Sequence, residues 1–252
     1  MSRPPKEFSV LGLPVHVMTN YSRWLLDCLL QRRGIHVVTL NAEMTIQAER
    51  NTTLAKIIQN AELVIPDGAG VVLYLRLFLW QDAQRIPGIE LAETLLQEIG
   101  QNRTDAKVFF YGGAPKVAAT AAEYWLCQIP NLSIAGTHSG YHSKVEEEQL
   151  QQTLAQLQPQ VIFVGLGVPR QELWIAQNRH LCPEAIWIGV GGSFDIWSGT
   201  KTRAPAWLGN NNLEWLYRLY QEPWRWRRML ALPEFALKAL IYQLKAINLV
   251  GQ

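Results

Sequence analysis

The chain has 252 residues, 48% hydrophobic and 17% charged, enough apolar material for one large domain or one domain with an appendage. Its most apolar run, GVVLYLRLFLW at 70–80, contains Arg76 and falls well short of the roughly 20 residues of a membrane span, so it is assigned to the core. The formal net charge of +2 hides an asymmetry: residues 201–252 hold eight of the 23 basic and three of the 21 acidic residues, leaving 15 basic and 18 acidic in residues 1–200.

The N-terminus lacks the continuous apolar region of a cleaved signal peptide. From there, short apolar runs alternate with helical patterns. HVVTLN (36–41) leads into a helix-like stretch at 43–60, and ELVIPDG (62–68) leads into the apolar run ending at Trp80. A helix is expected over 89–100, a strand at KVFFYGG (107–113), and a helix over 115–128 with Pro115 in its first turn. There follow LSIAG (132–136), a charged helix over 144–157, VIFVGLG (161–167), a helix from Pro169, and AIWIGVGG (185–192). Strands apolar on both faces belong to a parallel sheet covered by helices on each side. The expected fold is therefore α/β, a doubly wound Rossmann-like sheet over residues 1–200. Beyond residue 200 the pattern turns helical, with breaks at Pro223 and Pro233, giving a basic, Trp/Arg-rich appendage over 201–252.

Ligands of such sheets bind at the carboxyl ends of the strands. Those ends carry Thr39 and Asn41, Asp67, Gly112 and Gly113, Gly165 and Gly167, and Gly191 and Gly192. Backbone N–H groups of a GxG turn admit a phosphate. GLGVPR (165–170) and GVGGSF (189–194), however, lack the last glycine of the dinucleotide fingerprint, and tight strand–helix packing explains them equally well. Asp67 reads either as a turn aspartate bonding its own backbone or as a general base held at the ligand edge. Thr39 and Asn41 suit sugar hydroxyls, or a turn and a helix cap. The five aspartates form no DxD pair, and His138 and His142 in HSGYH have no nearby carboxylate, so no metal site is expected. A leaving diphosphate would then need protein cations, for which arginine is suited. Arg203, Arg218, Arg225, Arg227 and Arg228 supply them, with Arg218, Arg225 and Arg228 near one face of a continuous helix. Four of the ten tryptophans share this tail, a composition that fits an anionic membrane surface. Leu237, Leu240, Ile241, Leu244 and Ile247 form an apolar stripe, either amphipathic surface or ordinary core. Three separated cysteines without a CxxC pair read as reduced thiols of a cytoplasmic protein.

The ordered blocks TLNAE (39–43), PDGAG (66–70), RIPG (85–88), GLGVPRQELW (165–174), GVGGSFD (189–195), RAPAW (203–207) and EWLYRLYQEPWRWRR (214–228) resemble the WecG/TagA/CpsF family of bacterial glycosyltransferases over about residues 8–230. The resemblance implies metal-independent, cofactor-free, inverting transfer of a hexose or N-acetylhexosamine. The donor it implies is a UDP-sugar and the acceptor an undecaprenyl-diphosphate-linked sugar at the inner leaflet, in cell-surface polysaccharide synthesis. It implies Asp67 as catalytic base, Thr39, Asn41 and Gln171 in the sugar pocket, Arg85 in the site, and diphosphate-closing arginines within residues 218–228. Two blocks depart from the family pattern: RIPGIE, through Pro87 and Glu90, and the polar approach GNNNLEW at 209–215.

On this reading the diphosphate lies on backbone donors of the 165–168 and 189–193 turns and under Arg203, Arg218, Arg225 and Arg228. The protein is expected in the cytoplasm, peripheral on an anionic membrane face, with no nucleic-acid partner and with a homo-oligomer left open. Two rival readings fit the sequence less well. A nicotinamide-dependent oxidoreductase lacks an early GxGxxG, and a non-catalytic membrane or nucleic-acid binder has no need of the acidic α/β body.

Overall fold

The computed structural model describes residues 4–102, 104–210 and 213–250, with backbone alone for residues 206, 210, 214, 218, 225 and 246–250. The chain opens with an antiparallel hairpin, β1 (Lys6–Val10) and β2 (Leu13–Val17), followed by α1 (Tyr21–Leu30). Then come β3 (Ile35–Leu40), α2 (Ala42–Arg50), α3 (Thr52–Gln59), β4 (Leu63–Pro66), α4 (Ala69–Leu79) and α5 (Gly88–Gln101). The second half runs β5 (Lys107–Gly112), α6 (Val117–Gln128), β6 (Ser133–His138), α7 (Lys144–Leu157), β7 (Val161–Gly165), α8 (Arg170–Asn178), β8 (Ile186–Gly189) and α9 (Ser193–Trp197). The tail holds α10 (Ala206–Asn210), α11 (Glu214–Gln221), a 3₁₀ turn at Pro223–Arg225, α12 (Trp226–Met229) and α13 (Ala231–Val250).

Six strands form one parallel sheet in the order β4-β3-β8-β7-β5-β6. All six residues of β3 and all four of β8 are buried, as the unbroken apolar runs require. On one face α1, α5, α6 and α9 pack on the inward residues of five strands, from Ile65 to Phe110. The other face carries α2, α3, α4, α13 and the hairpin over β3 and β4, and α7 and α8 over β5, β7 and β8. The expected doubly wound sheet is the one observed.

Local chemistry explains where element boundaries differ from the sequence expectation. The stretch 43–60 is two helices, because the Asn51 side chain accepts the Leu54 N–H at 3.1 Å and starts a new helix there. The helix expected from Pro115 begins at Val117. Lys116 stands in the left-handed region (φ 73°), and the Ala114 carbonyl takes the Val117 N–H, closing a turn before the helix. Pro223 does break the tail, but Pro233 does not. It lies in the first turn of α13, where its missing N–H has no intrahelical partner to lose.

The hairpin settles the exposed edge of the sheet. His16 Nδ1 accepts the β4 backbone N–H of Val64 at 2.9 Å, so an edge donor that would otherwise invite pairing is satisfied. Burial lowers the His16 pKa below 6.5, opposed by Glu7. The ring cannot protonate Nδ1 without releasing Val64. Since the native state binds this proton less readily than the unfolded chain, stability is full above 6.5 and falls as pH drops through that value. Denaturant midpoints between about pH 7.5 and 5.5 are expected to fall less in His16→Gln, which keeps an acceptor but no titrating group, than in wild type. Equal slopes would contradict this assignment.

Candidate active site

Adjacent strands β3 and β8 send the chain to opposite faces, β3 into α2 and β8 into α9. That divergence opens a crevice at the carboxyl edge, where doubly wound sheets hold ligands. A cleft of about 190 Å³ lies there. Its floor and walls come from the ends of four strands: Thr39 within and Asn41 just after the end of β3, Asp67 after β4, Gly167 and Gln171 after β7, and Val190–Ser193 after β8. Pro87, Gly88 and Ile89 at the start of α5 complete one wall.

Asp67 is half-buried, and its N–H donates to Leu40 O at 3.0 Å, tying the aspartate to the end of β3. Thr39 is buried with its hydroxyl 3.5 Å from Gly189 O. Asn41 is the helix cap that one of the two sequence readings expected. Its Oδ1 caps α2 through Met44 N–H at 2.9 Å, while the residue also lines the cleft. Gln171, 1% exposed, accepts the Gly191 N–H at 3.0 Å and donates to Glu172 at 2.9 Å.

The glycines divide. Gly167 and Gly191 line the cleft with φ of 74° and 53°, turns that a side chain would strain, and Gly192 lies beside them. The Gly191 N–H, however, is taken by Gln171 and so does not face an incoming anion. Gly165 is not a lining residue: a Cβ there would meet Phe194 at 2.8 Å, so it is small for packing. Arg85, half-buried between α4 and α5, is also not among the lining residues.

The tail covers the cleft. Lys201, Thr202, Arg203, Tyr217, Gln221, Glu222 and Arg228 all line it. Tyr217 and Gln221 of α11 hydrogen-bond Thr202 at 2.9 and 2.7 Å, latching the helix onto the segment that leaves α9. Arg228 Nε reaches Glu43 on α2 at 3.4 Å, and Arg203 pairs with Glu90 and Glu93 on α5. Lys201 bridges Asp195 (2.8 Å) and Glu222 (3.1 Å). Burial would lower the Lys201 ammonium, but these two carboxylates hold it above its ordinary value. The side chains of Arg218 and Arg225 lie outside the described ones, and the turn at 223–225 means that no single helix carries both. α13 anchors the tail on the main body. Its Phe235 is buried against Tyr74, contributing about 1.5–3 kcal/mol.

Sequence reasoning passed over Lys201, Glu43, Tyr217 and Gln221. Only the TKTRAP run beside the Arg-rich block hinted at Lys201. Among the described residues no three His, Cys, Asp or Glu side chains gather as metal ligands. His142 instead bonds the Tyr111 hydroxyl at 2.7 Å. The three cysteines are free thiols, Cys28 and Cys182 buried and Cys127 exposed.

Comparison with known proteins gives this geometry a context. The profile of the glycosyl transferase WecG/TagA/CpsF family matches residues 8–248. The N-acetylglucosaminyldiphosphoundecaprenol N-acetyl-beta-D-mannosaminyltransferase of Bacillus spizizenii is 36% identical over 228 residues, covering 90% of this chain and 84% of the relative. The protein of the same description from Bacillus subtilis is 37% identical over 211 residues, 83% of this chain and 80% of the relative.

Proposed function

The chain belongs to the WecG/TagA/CpsF glycosyl transferase family, and from that premise we propose that it moves an N-acetylhexosamine, N-acetylmannosamine first among them, from a UDP-sugar to an undecaprenyl-diphosphate-linked N-acetylglucosamine. The names of the two Bacillus relatives support the sugar and the lipid acceptor. The observation that carries the mechanism is that Asp67 and the tail cations Lys201 and Arg228 line one cleft at the switch point of the sheet.

In this mechanism the acceptor hydroxyl loses its proton to Asp67 as its oxygen attacks the anomeric carbon. UDP departs from the opposite face, and configuration inverts. Charge that builds on the leaving diphosphate meets Lys201 and Arg228, with Arg203, Arg218 and Arg225 as further cations of the same tail. Thr39, Asn41 and Gln171 orient the sugar. The turns at Gly167 and Gly191–Gly192 give the diphosphate room, without the Gly191 N–H, which Gln171 takes. Residues 1–200 act as the catalytic body and residues 201–252 as an appendage that closes the cleft. The experiment that tests this is transfer from a panel of UDP-sugars to a short-chain prenyl-diphosphate N-acetylglucosamine, with the product read by mass spectrometry. Absence of product from every donor would refute the proposal.

The same appendage docks on an anionic membrane. No described helix is long and apolar enough to cross a bilayer. The apolar stripe of α13 is not core, since Leu237, Leu240, Ile241 and Leu244 are exposed while Ala231, Phe235 and Ala239 face inward. Ile247 lies outside the described side chains. Trp224 is 71% exposed, and Arg227 lies over the exposed Trp226 ring at 5.6 Å. Rings and cations side by side suit a headgroup layer. Replacing Trp224 and Leu237 with serine is expected to reduce co-sedimentation with anionic liposomes several-fold, and activity on a detergent-solubilised acceptor much less. Unchanged co-sedimentation would count against this face.

A further inference from the structure

Beneath the cleft lies a polar chain whose buried members, His36 and Glu172, the mechanism above does not use. His36 on β3 and Glu172 on α8 are 1% and 0% exposed, and His36 Nε2 meets Glu172 Oε2 at 2.8 Å. The other carboxylate oxygen, Oε1, accepts the Gln171 Nε2–H at 2.9 Å, and Gln171 Oε1 accepts the Gly191 N–H at 3.0 Å. Glu172 is not a lining residue, whereas Gln171 and Gly191 are.

Two features of this chain carry information. The first is polarity. A backbone N–H can only donate, and Glu172 Oε1 is the acceptor at the other end, so the Gln171 amide has one orientation that satisfies both ends. Turned over, its NH₂ would face the Gly191 N–H and its oxygen would face a carboxylate. The second is space. The chain presses against the end of β8, where a Cβ on Gly189 would stand 2.4 Å from Gln171 Nε2 and 2.5 Å from Glu172 Oε1. The amide therefore has neither a second hydrogen-bonding pattern nor room to swing. One N–H and one oxygen lone pair of Gln171 stay unused by these bonds.

A buried carboxylate is costly unless it is paired and hydrogen-bonded. Helix α8 could have started on an apolar residue at this position, so the burial calls for a reason beyond packing. We propose that Glu172, held by His36, is a positioning residue: it fixes the rotation of the Gln171 carboxamide and the seat of the Gly191 turn, and so sets how tightly the cleft grips the transferred sugar. This inference rests on the reading of Gln171 as a sugar contact. His36 in turn is placed by its own N–H, which donates to Glu62 at 2.8 Å, and Glu62 is held by Arg179 at 2.8 Å. The grip on the sugar is thus braced from β3, the start of β4 and the end of α8.

A double-mutant cycle separates positioning from general weakening. Gln171→Ala is expected to lower kcat/KM for the UDP-sugar about 100-fold, and Glu172→Gln, which can present an NH₂ where only an acceptor served, about 10-fold. If Glu172 acts through Gln171, the double variant is no worse than Gln171→Ala alone. Losses that multiply would overturn the proposal while leaving Gln171 in the site. Full activity of Gln171→Ala would overturn the sugar contact itself, and the proposal with it. A second pair of variants keeps the test independent of how Glu172→Gln folds. His36→Gln, long enough to donate to Glu172, is expected to retain most activity, and His36→Asn, too short to reach, to lose about as much as Glu172→Gln. Equal loss in both His36 variants would also contradict the proposal.

Discussion

Asp67→Asn is expected to lower kcat for sugar transfer about 10²–10⁴-fold while leaving donor KM and thermal stability close to wild type. Asparagine has nearly the same shape, so the backbone bond from residue 67 to Leu40 and the close packing of the β4 end survive. What disappears is the ability to take a proton from the acceptor hydroxyl at the moment its oxygen attacks. A carboxylate placed there for any other purpose, such as a turn, would give a different pattern. It would change folding or KM and spare kcat. Each tenfold loss in rate corresponds to about 1.4 kcal/mol of transition-state stabilisation, so the predicted loss is about 3–5 kcal/mol. A kcat within about threefold of wild type would remove Asp67 from the mechanism.

The second large effect falls on the cations that cover the cleft. Arg228→Ala and Lys201→Ala are each expected to cost about 10²–10³-fold in kcat, the scale found when one preorganised donor to a developing charge is removed. Both are held by carboxylates: Arg228 by Glu43, and Lys201 by Asp195 and Glu222. These pairs keep the cations aimed inward, and a departing diphosphate, with more charge than any one carboxylate, draws them over. The loss should therefore appear in kcat more than in KM, because the charge they meet grows as the glycosidic bond breaks. Lys56→Ala, on the exposed surface of α3, is the control and should leave kcat unchanged. If Arg228→Ala and Lys201→Ala raise KM alone, the tail binds substrate but does not assist its cleavage.

How legible all this was in the sequence depends on the kind of interaction. The parallel sheet could be read because HVVTL, VIFVG and AIWIG are nearly all apolar and show no alternating polar face, as burial on both faces requires. The positions of Thr39, Asn41 and Asp67 followed, since a strand's end is a one-dimensional fact, whereas Gln171, inside α8, came only from the family resemblance. The hairpin at 6–17 was not anticipated. Its role depends on His16 meeting an edge N–H of Val64, 48 residues away. The apolar run at 70–80 was assigned wholly to the core, yet only one side of α4 is buried, through Val71, Val72, Tyr74 and Leu75. Leu73, Leu77 and Trp80 face outward. A run that is apolar all round gives no phase from which to tell its two sides. The tail misled in a related way. Seven-residue spacing put Arg218 and Arg225 on one face, but Pro223 interrupts the helix between them. Lys201 drew no attention because only the TKTRAP run marks it locally. Its place in the cleft depends on Asp195 and Glu222 converging from either side. The His36–Glu172 pair, 136 residues apart, belongs to the same class.

The most direct test of the central claim is the anomeric configuration of the product. Purified protein would be given the α-configured UDP-N-acetylmannosamine and a short-chain prenyl-diphosphate N-acetylglucosamine, and the lipid-linked disaccharide examined by NMR. A single β-linked disaccharide, formed by wild type and at least about 100-fold more slowly by Asp67→Asn, is the result expected of one displacement with Asp67 as base. An α-linked product, or a β-linked product formed equally fast without the Asp67 carboxylate, would contradict it.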